Sequence, residues 1–310
     1  MSTKRIELKD SGVVFNEELH QYWLGNKQLS GITGMLQRQL FPDEFEGIPE
    51  YRIKSAAEYG THVHTSIEDF DKNWINDGIQ EVADYIEICK EHGLVHECSE
   101  YTVTDGKNWA SNIDKVYRVD DTTFDICDIK TYGTMTSEKL EKARWQLSIY
   151  AYLFELQNKK AKVGNLFIMH LRNKPKKDGT FDHIADLIPI SRIPSEICKE
   201  LLDCDLRGEQ FENPYNIPEE IRNHESEIRE LIQTKNEVEE RLSTLKSKIL
   251  LEMEMMDVKL WFTDTMRLTR KLPGIRTSFD LQAFRNDHPD IDFESYMKTS
   301  KVAGSLVIAI

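Results

Sequence analysis

The spacing of hydrophobic and polar positions changes several times along the chain, and each change predicts a new element. In the N-terminal third, alternation with a period of two gives way to helical spacing of three and four residues. Gly25 and Asn26 mark a turn, and Gly93 closes a helix. The predicted elements are strands over 13–15, 20–24 and 28–29, a short helix after Ser30, and helices over 52–74 and 77–93.

The middle of the chain is rich in strand-forming residues separated by short turns. Asp105-Gly106 and Asp120-Asp121 divide three strands in the manner of a meander, and Ser137 suits the N-cap of a long apolar helix. The predicted elements are strands over 100–104, 109–119 and 123–129, a helix over 137–157, and strands over 163–171 and 181–189. This order of helices and strands predicts an α/β core rather than a helical bundle.

From Pro218 to about Met256 the chain is rich in Glu, Lys, Arg and Leu. Its apolar residues recur at intervals of three, four or seven, namely Ile221, Ile228, Leu231, Val238, Leu242, Leu245 and Ile249. Pro218 suits the first position of a helix, so the segment is predicted to be one long amphipathic helix or a helical hairpin. Its apolar face either packs within the chain or contacts another protein. Beyond it, strands are predicted over 259–262, 266–271 and 305–310, with a helix over 281–286.

Composition narrows the class of protein. A chain of 310 residues, 39% apolar and 30% charged, is long enough for one substantial core with appended elements. The net charge of -14 argues against a protein that coats nucleic acid, but it leaves room for an enzyme with a local basic cleft. The five cysteines form no C-x-x-C pair, so no disulfide framework or zinc ribbon is predicted. Because no leader-like start or membrane-spanning stretch is visible, we expect a soluble, cytoplasmic protein.

Charged residues interrupt two adjacent predicted strands. Asp128 and Lys130 are two apart, so both project to one side of their strand while Ile129 faces the core. If the strands pair through the Asp120-Asp121 turn, Asp114 lies across from Asp128. Two carboxylates beside an ammonium suit Mg²⁺ or Mn²⁺. The alternative for an isolated D-x-K pattern is an ordinary salt bridge at a strand end.

Two helices carry further polar candidates. Gln146 and Tyr150 are four residues apart and share one helix face, where they either approach a substrate or simply pack. His62 and His64 lie about 200° apart around a helix, so only one of them faces the site. A lone helical histidine is more often structural than a metal ligand.

These candidates stand in a characteristic order along residues 50–190. The blocks are Gly60 with His64, Glu100, Asp114, Asp128-Ile129-Lys130-Thr131, and Gln146 with Tyr150. In this order they resemble the RecB-like branch of the PD-(D/E)XK nuclease superfamily. The resemblance implies a restriction-endonuclease-like α/β core, which is a central mixed sheet flanked by helices.

The same resemblance implies a role for each matching residue. The metal ligands would be His64, Asp114, Asp128 and the backbone carbonyl of Ile129. Lys130 would support activation of the attacking water, with Glu100, Gln146 and Tyr150 as its catalytic neighbours. Mg²⁺ is the expected cofactor, and Mn²⁺ is an alternative.

Two departures from the family pattern are visible. The first acidic residue, Asp114, follows Ile113 rather than a proline, which is common within the superfamily. The four cysteines that hold an iron-sulfur cluster in some relatives are absent, because Cys198 and Cys204 alone cannot supply them. No iron-sulfur cluster is therefore expected.

The two ends of the chain carry weaker resemblances. The start, with His20 and Tyr22, resembles the N-terminal hairpin of phage nucleases of this branch. The long helix and the tail are similar to those of YqaJ-type and lambda-exonuclease-like viral recombination exonucleases. In the tail, Arg270, Lys271 and Arg276 are candidates for contacts with DNA phosphates, and a solvated basic loop is the alternative.

From these observations we predict four segments and one activity. The segments are an N-terminal hairpin and helix (1–50), the nuclease core (51–215), a long amphipathic helical segment (216–257) and an α+β tail (258–310). The predicted activity is that of a phage-type exodeoxyribonuclease acting on double-stranded ends in recombination or repair. An annealing protein and a homo-oligomer are its expected partners. The alternatives are a structure-specific endonuclease and a catalytically silent scaffold.

Overall fold

The computed structural model of the protein describes residues 5–16, 19–271, 273, 279–288 and 291–292. The chain divides into two compact units, Met1–Asn213 and Pro214–Ile310. Among the described residues, every helix is too short or too polar to cross a membrane.

The first unit is built on one mixed sheet. Its strands are β1 (Val13–Asn16), β2 (Gln21–Leu24), β3 (Lys27–Gly31), β4 (His96–Thr104), β5 (Trp109–Arg118), β6 (Thr123–Lys130), β7 (Lys162–Pro175) and β8 (Phe181–Ile190). The order is β1-β2-β3-β5-β6-β7-β8, with β4 paired to β5. Strands β4, β5 and β6 form an antiparallel meander, whereas β6 and β7 run parallel. The predicted central mixed sheet is therefore confirmed.

Helices cover this sheet. They are α1 (Ile32–Gln39), α2 (Glu50–Asn73), α3 (Gln80–Glu91), α4 (Ser137–Gln157) and α5 (Ser195–Arg207). Val63 of α2 and Tyr85 of α3 pack in one core cluster with Ile129 and Met169 of the sheet. Strand residues that alternate with Ile129 and Met169 point to the opposite face of the sheet, which α4 covers. The ring contact between Phe124 of β6 and Phe154 of α4 lies on that face. Helices thus flank the sheet, as the α/β prediction requires.

The second unit contains the long helix. Its described elements are α6 (Glu219–Arg222), α7 (Glu225–Met255), β9 (Leu260–Phe262), β10 (Arg267–Thr269) and α8 (Leu281–Asp287). β9 and β10 form an antiparallel hairpin. The segment predicted as a long helix or a helical hairpin is one 31-residue helix, α7, preceded by the four-residue helix α6. The strand predicted over 305–310 lies outside the described residues.

Local hydrogen bonds explain one wrong N-cap assignment and one wrong helix start. The cap of α4 is Thr136 rather than Ser137, because the Thr136 hydroxyl accepts a hydrogen bond from the Lys139 amide at 3.3 Å. Helix α3 begins at Gln80 rather than near Asp77. The Asp77 carboxylate instead accepts hydrogen bonds from the Ser66 hydroxyl and the Ile79 amide. A polar side chain that bonds its own neighbours favours a turn over a helix.

Candidate metal centre

A glycine brings helix α2 close to the end of strand β6. A Cβ atom on Gly60 would lie 3.4 Å from the Thr131 hydroxyl oxygen, so a side chain larger than alanine would press on that segment. His64 is four residues further along the same face of the helix. Its Nε2 lies 3.1 Å from the carbonyl oxygen of Ile129. His62 is exposed, so only one of the two histidines faces the sheet, as predicted.

Asp114 reaches the same point from strand β5. The register pairs Lys115 with Cys127, which places Asp114 opposite Asp128. The Ile129 amide donates a hydrogen bond to Oδ2 of Asp114 at 2.7 Å, and His64 Nδ1 lies 3.7 Å from the same oxygen. The predicted pairing of these strands is confirmed. Three elements thus bring His64, Asp114 and the Ile129 backbone together.

Glu100 joins this group through an unusual backbone conformation. Ser99 pairs with Lys115 and Tyr101 with Ile113, so Glu100 lies opposite Asp114. Its φ of 50° is left-handed, a region that L residues occupy only when their surroundings hold them there. Ligand atoms of His64, Glu100 and Asp114 lie within 4.8 Å of one another.

The electrostatics of Glu100 reflect this convergence. Burial raises the pKa of its carboxyl to about 8, and the negative charges of Asp114 and Glu68 add to the effect. A cation between the carboxylates would reverse that repulsion. One imidazole and two carboxylates form a donor set that suits Mn²⁺ or Mg²⁺. The residues at this position therefore fit a divalent ion.

Asp128 and Lys130 form a second part of the site. As strand alternation predicts, they project together, with Lys130 Nζ 2.7 Å from Asp128 Oδ2, while Ile129 is buried in the core. Burial raises the pKa of Asp128 to about 6, against the opposing charge of Lys130. Burial lowers the pKa of Lys130, but the charge of Asp128 outweighs it and the net shift is upward. Lys130 is therefore held as an ammonium.

Helix α4 completes this part of the site. Lys130 Nζ lies 3.5 Å from Gln146 Oε1, and Gln146 Nε2 donates to the Tyr150 hydroxyl oxygen at 2.7 Å. Ser111 of β5 donates to the same oxygen at 3.0 Å. Tyr150 is buried, and burial raises its pKa. A continuous polar chain thus leads from Lys130 into the core.

The grouping differs from the sequence-based assignment in one respect. We expected Asp128 among the metal ligands and Glu100 among the catalytic neighbours. The structure brings Glu100 together with His64 and Asp114, and it turns an oxygen of Asp128 toward Lys130. The role of each residue stays a prediction, while their proximity is observed.

A buried polar network beside the site was not predicted from the sequence. Asp71 of α2 accepts hydrogen bonds from Lys115 Nζ at 2.6 Å, from the Ser99 hydroxyl at 3.1 Å and from the Tyr85 hydroxyl at 2.9 Å. Lys115 and Ser99 adjoin Asp114 and Glu100 in sequence, so the network underlies the strands that carry both carboxylates. The signal was available, because Asp71 is seven residues from His64 on one helix face and Lys115 interrupts an apolar strand.

The tail residues predicted to contact DNA have different surroundings. Arg270 is almost buried, and its guanidinium donates to the Met253 carbonyl at 3.2 Å and to the Asp257 carboxylate at 2.8 Å. Lys271 is exposed, and Arg276 lies outside the described residues. Arg270 thus ties the end of α7 to the β9–β10 hairpin, and a DNA contact for these residues stays a prediction.

Comparison with known proteins agrees with the geometry. Residues 110–259 match the PD-(D/E)XK nuclease superfamily. The chain contains a PD-(D/E)XK nuclease domain. The match includes Asp114, the Asp128–Lys130 segment, Gln146 and Tyr150. Nucleases of this superfamily use divalent metal ions, so the predicted class of metal-dependent nuclease is confirmed at this level.

The comparisons with curated proteins and with solved structures say less about the chain than the family match does. No curated protein matches the chain. Among the solved structures that match, the one described as "Crystal structure of SSO0001" has 13% sequence identity and a TM-score of 0.34, over 62% of this chain and 80% of that chain.

Proposed function

We propose that the protein is a Mg²⁺-dependent exodeoxyribonuclease that hydrolyses phosphodiester bonds from the ends of duplex DNA. One observation carries the proposal. Ligand atoms of His64, Glu100 and Asp114 converge within 4.8 Å, next to the Asp128–Lys130 ion pair. Asp114, Asp128 and Lys130 lie in the PD-(D/E)XK domain.

In this proposal the ligands are His64, Glu100, Asp114 and the Ile129 carbonyl, with Asp128 at the edge of the group. When bound, the ion supplies Lewis-acid activation of the scissile phosphate and of the attacking water. Lys130, kept protonated by Asp128, donates a hydrogen bond and offsets negative charge as it develops on the phosphate. Gln146 restricts the position of the Lys130 ammonium.

A basic hairpin supports DNA as the substrate. Lys130 pairs with His170, so strand β7 continues beyond the end of β6 and carries Lys174 past it. Lys176 follows the end of the strand at Pro175, where it forms an ion pair with Asp182 at 3.6 Å. The tip of the hairpin, which includes Lys177, is exposed. In a chain of net charge -14, this cluster offers a local surface for phosphate oxygens.

The activity is tested by incubating linear duplex DNA with Mg²⁺ and the wild type, Asp128→Ala, Lys130→Ala or Lys160→Ala. Lys160 is exposed at the end of α4 and serves as the matched control. We expect DNA loss with the wild type and the control only. Equal DNA loss with all four proteins would exclude the proposed site.

The mode of cleavage is tested by comparing linear duplexes with covalently closed circles. An exonuclease spares the circles, and an end-labelled duplex then reports its polarity. Cleavage of circles would instead support a structure-specific endonuclease. DNA binding without cleavage, in either Mg²⁺ or Mn²⁺, would support a catalytically silent scaffold.

The biological role we propose is recombination or repair in the manner of phage enzymes, with the product single strands passed to an annealing protein. It rests on the resemblance of the N-terminal hairpin and the tail to viral recombination exonucleases. Electrophoresis of the products tests it, because such an enzyme leaves long single-stranded tails. Complete degradation of both strands would contradict this role while leaving the nuclease activity intact.

A further inference from the structure

Helix α7 carries an apolar seam with heptad spacing. From Ile228 to Ile249 the seam positions are separated by three and four residues in strict alternation. They are Ile228, Leu231, Lys235, Val238, Leu242, Leu245 and Ile249. This spacing is the a and d pattern of a coiled coil over about three heptads, with one lysine at an a position.

The seam is open to solvent. Leu231 and Val238 are 63% and 59% exposed, and Leu242 and Leu245 are each about half exposed. Within the described side chains of α7, Met253 alone is buried, and it lies beyond the seam. A long stripe of exposed apolar side chains on one helix face is typical of a surface that contacts another protein. The seam is therefore available to a partner.

The charges along the seam of α7 are segregated. Residues 225–240 contain six acidic and two basic residues, whereas residues 241–251 contain three basic and no acidic residues. Glu252 and Glu254 follow in the last turn of the helix, beyond the seam. The acidic half begins with Glu225 and Glu227, and the basic half ends with Lys246 and Lys248. Two such helices attract each other when they run antiparallel, because the acidic half of each then lies beside the basic half of the other.

We propose that α7 forms an antiparallel two-stranded coiled coil with α7 of a second copy of this chain. In this arrangement each a position of one copy packs beside a d position of the other, so Leu231 of one copy packs against Leu242 of the other. Lys235 faces Val238 at the centre, where a single polar residue sets the register at some cost in stability.

The flanking positions favour this orientation over a parallel one. In the antiparallel register, Glu225 and Glu227 lie beside Lys246 and Lys248 of the other copy, twice over by symmetry. In a parallel dimer, Arg241 would lie beside Lys246 of the other copy and the acidic halves would face each other. Self-association through α7 is independent of the nuclease activity, since it involves residues of α7 alone.

Sedimentation equilibrium of the full chain over a wide concentration range tests the self-association. We expect a concentration-dependent shift from the 36.2 kDa monomer to twice that mass. Leu231→Glu with Leu242→Glu should give a monomer with an unchanged circular dichroism spectrum. Ser247→Glu, on the outer face of the helix, should still dimerise. A monomer at every concentration, or dimers unaffected by the two leucine substitutions, would overturn the proposal.

A charge swap tests the orientation. Lys246→Glu with Lys248→Glu should weaken the dimer roughly tenfold or more, because the attractive pairs become repulsive. Adding Glu225→Lys with Glu227→Lys should restore it. A parallel dimer would instead be strengthened by the first pair of substitutions, because Arg241 would then lie beside a glutamate. That result, or a failure of the second pair to restore the dimer, contradicts the antiparallel register.

Discussion

The sheet end around Asp114 and the long helix α7 satisfy their charges in opposite ways. At the sheet end, Asp128 and Asp71 are nearly buried, and each pairs with a lysine from the sheet. On α7 the ion pairs lie within the helix, as between Arg229 and Glu225 or Lys235 and Glu239, and they are exposed. Buried charges of the first kind persist only when another residue compensates them, whereas solvated pairs contribute little. Substitutions should therefore have large effects at the sheet end and small ones on the monomeric helix.

The largest effect is expected from Asp114→Asn. The amide oxygen of Asn can still accept the hydrogen bond from the Ile129 amide, so the fold should persist while a ligand charge is lost. We expect the rate of DNA cleavage to fall about a thousandfold or more. Single-turnover cleavage measures it, and titration calorimetry with Mn²⁺ reports the loss of metal binding separately. Asp121→Asn, in an exposed turn, is the control. Unchanged metal affinity in Asp114→Asn would remove Asp114 from the ligands.

Matched truncations compare apolar packing in the two regions. Ile67→Ala, on the buried face of α2, should lower the free energy of unfolding by about 2–5 kcal/mol, because it leaves a cavity. Leu242→Ala, on the exposed seam, should lower it by about 0.5 kcal/mol or less in the monomer. Urea unfolding at low protein concentration measures both. Equal losses would mean that the seam is already covered within one chain.

The buried network should respond strongly to loss of one partner. Lys115→Met leaves the Asp71 carboxylate buried without its cation, and we expect a loss of about 3 kcal/mol in unfolding free energy. Adding Asp71→Asn should recover part of that loss, because the buried charge is removed as well. Metal affinity, measured on the folded variants, shows whether the network also positions Glu100 and Asp114. A double variant no more stable than the single one would refute the charge explanation.

The ion pair between Glu97 and Arg118, at the edge of the sheet, should contribute about 1 kcal/mol or less in a pH-dependent way, as partly exposed ion pairs do. The hydrogen bond from Arg118 lowers the pKa of Glu97, and the charges of Arg118 and Arg5 add to it. A lowered pKa in the folded state contributes stability above the unfolded value, near 4.5, and this contribution disappears as pH falls through the folded value. The wild type should therefore exceed Glu97→Gln in stability at pH 7, and the difference should vanish in acid. A difference that is independent of pH would contradict the assignment.

The smallest effect is expected from Gly60→Ala. A Cβ at this position would meet the Thr131 hydroxyl at 3.4 Å, which is an ordinary contact distance. The higher helix propensity of alanine should therefore stabilise the protein by about 0.5 kcal/mol, with metal affinity unchanged. Gly60→Leu is the contrasting variant, since its longer side chain must displace Thr131 or the helix. If alanine reduces metal affinity as much as leucine does, the approach of α2 is tighter than this distance indicates.

Much of the fold follows from short-range patterns. The alternation around Ile129 correctly predicted that Asp128 and Lys130 share one side of a strand, and helical spacing located α2, α4 and α7. These features depend on residues close in sequence, and local geometry imposes their periods of 2 and 3.6 residues. The errors at Ser137 and Asp77 concern individual side-chain hydrogen bonds, which the hydrophobic pattern does not report.

The sequence by itself determined the class of core, the superfamily resemblance and which charged residues share a face. Only the tertiary structure decided that Glu100 joins His64 and Asp114, that Asp128 turns an oxygen to Lys130, and that Arg270 is bound within its own unit. The physical reason is distance along the chain. The site groups are far apart in sequence. They are brought together by strand register, by the approach of α2 and by the left-handed backbone of Glu100, none of which follows from a local period.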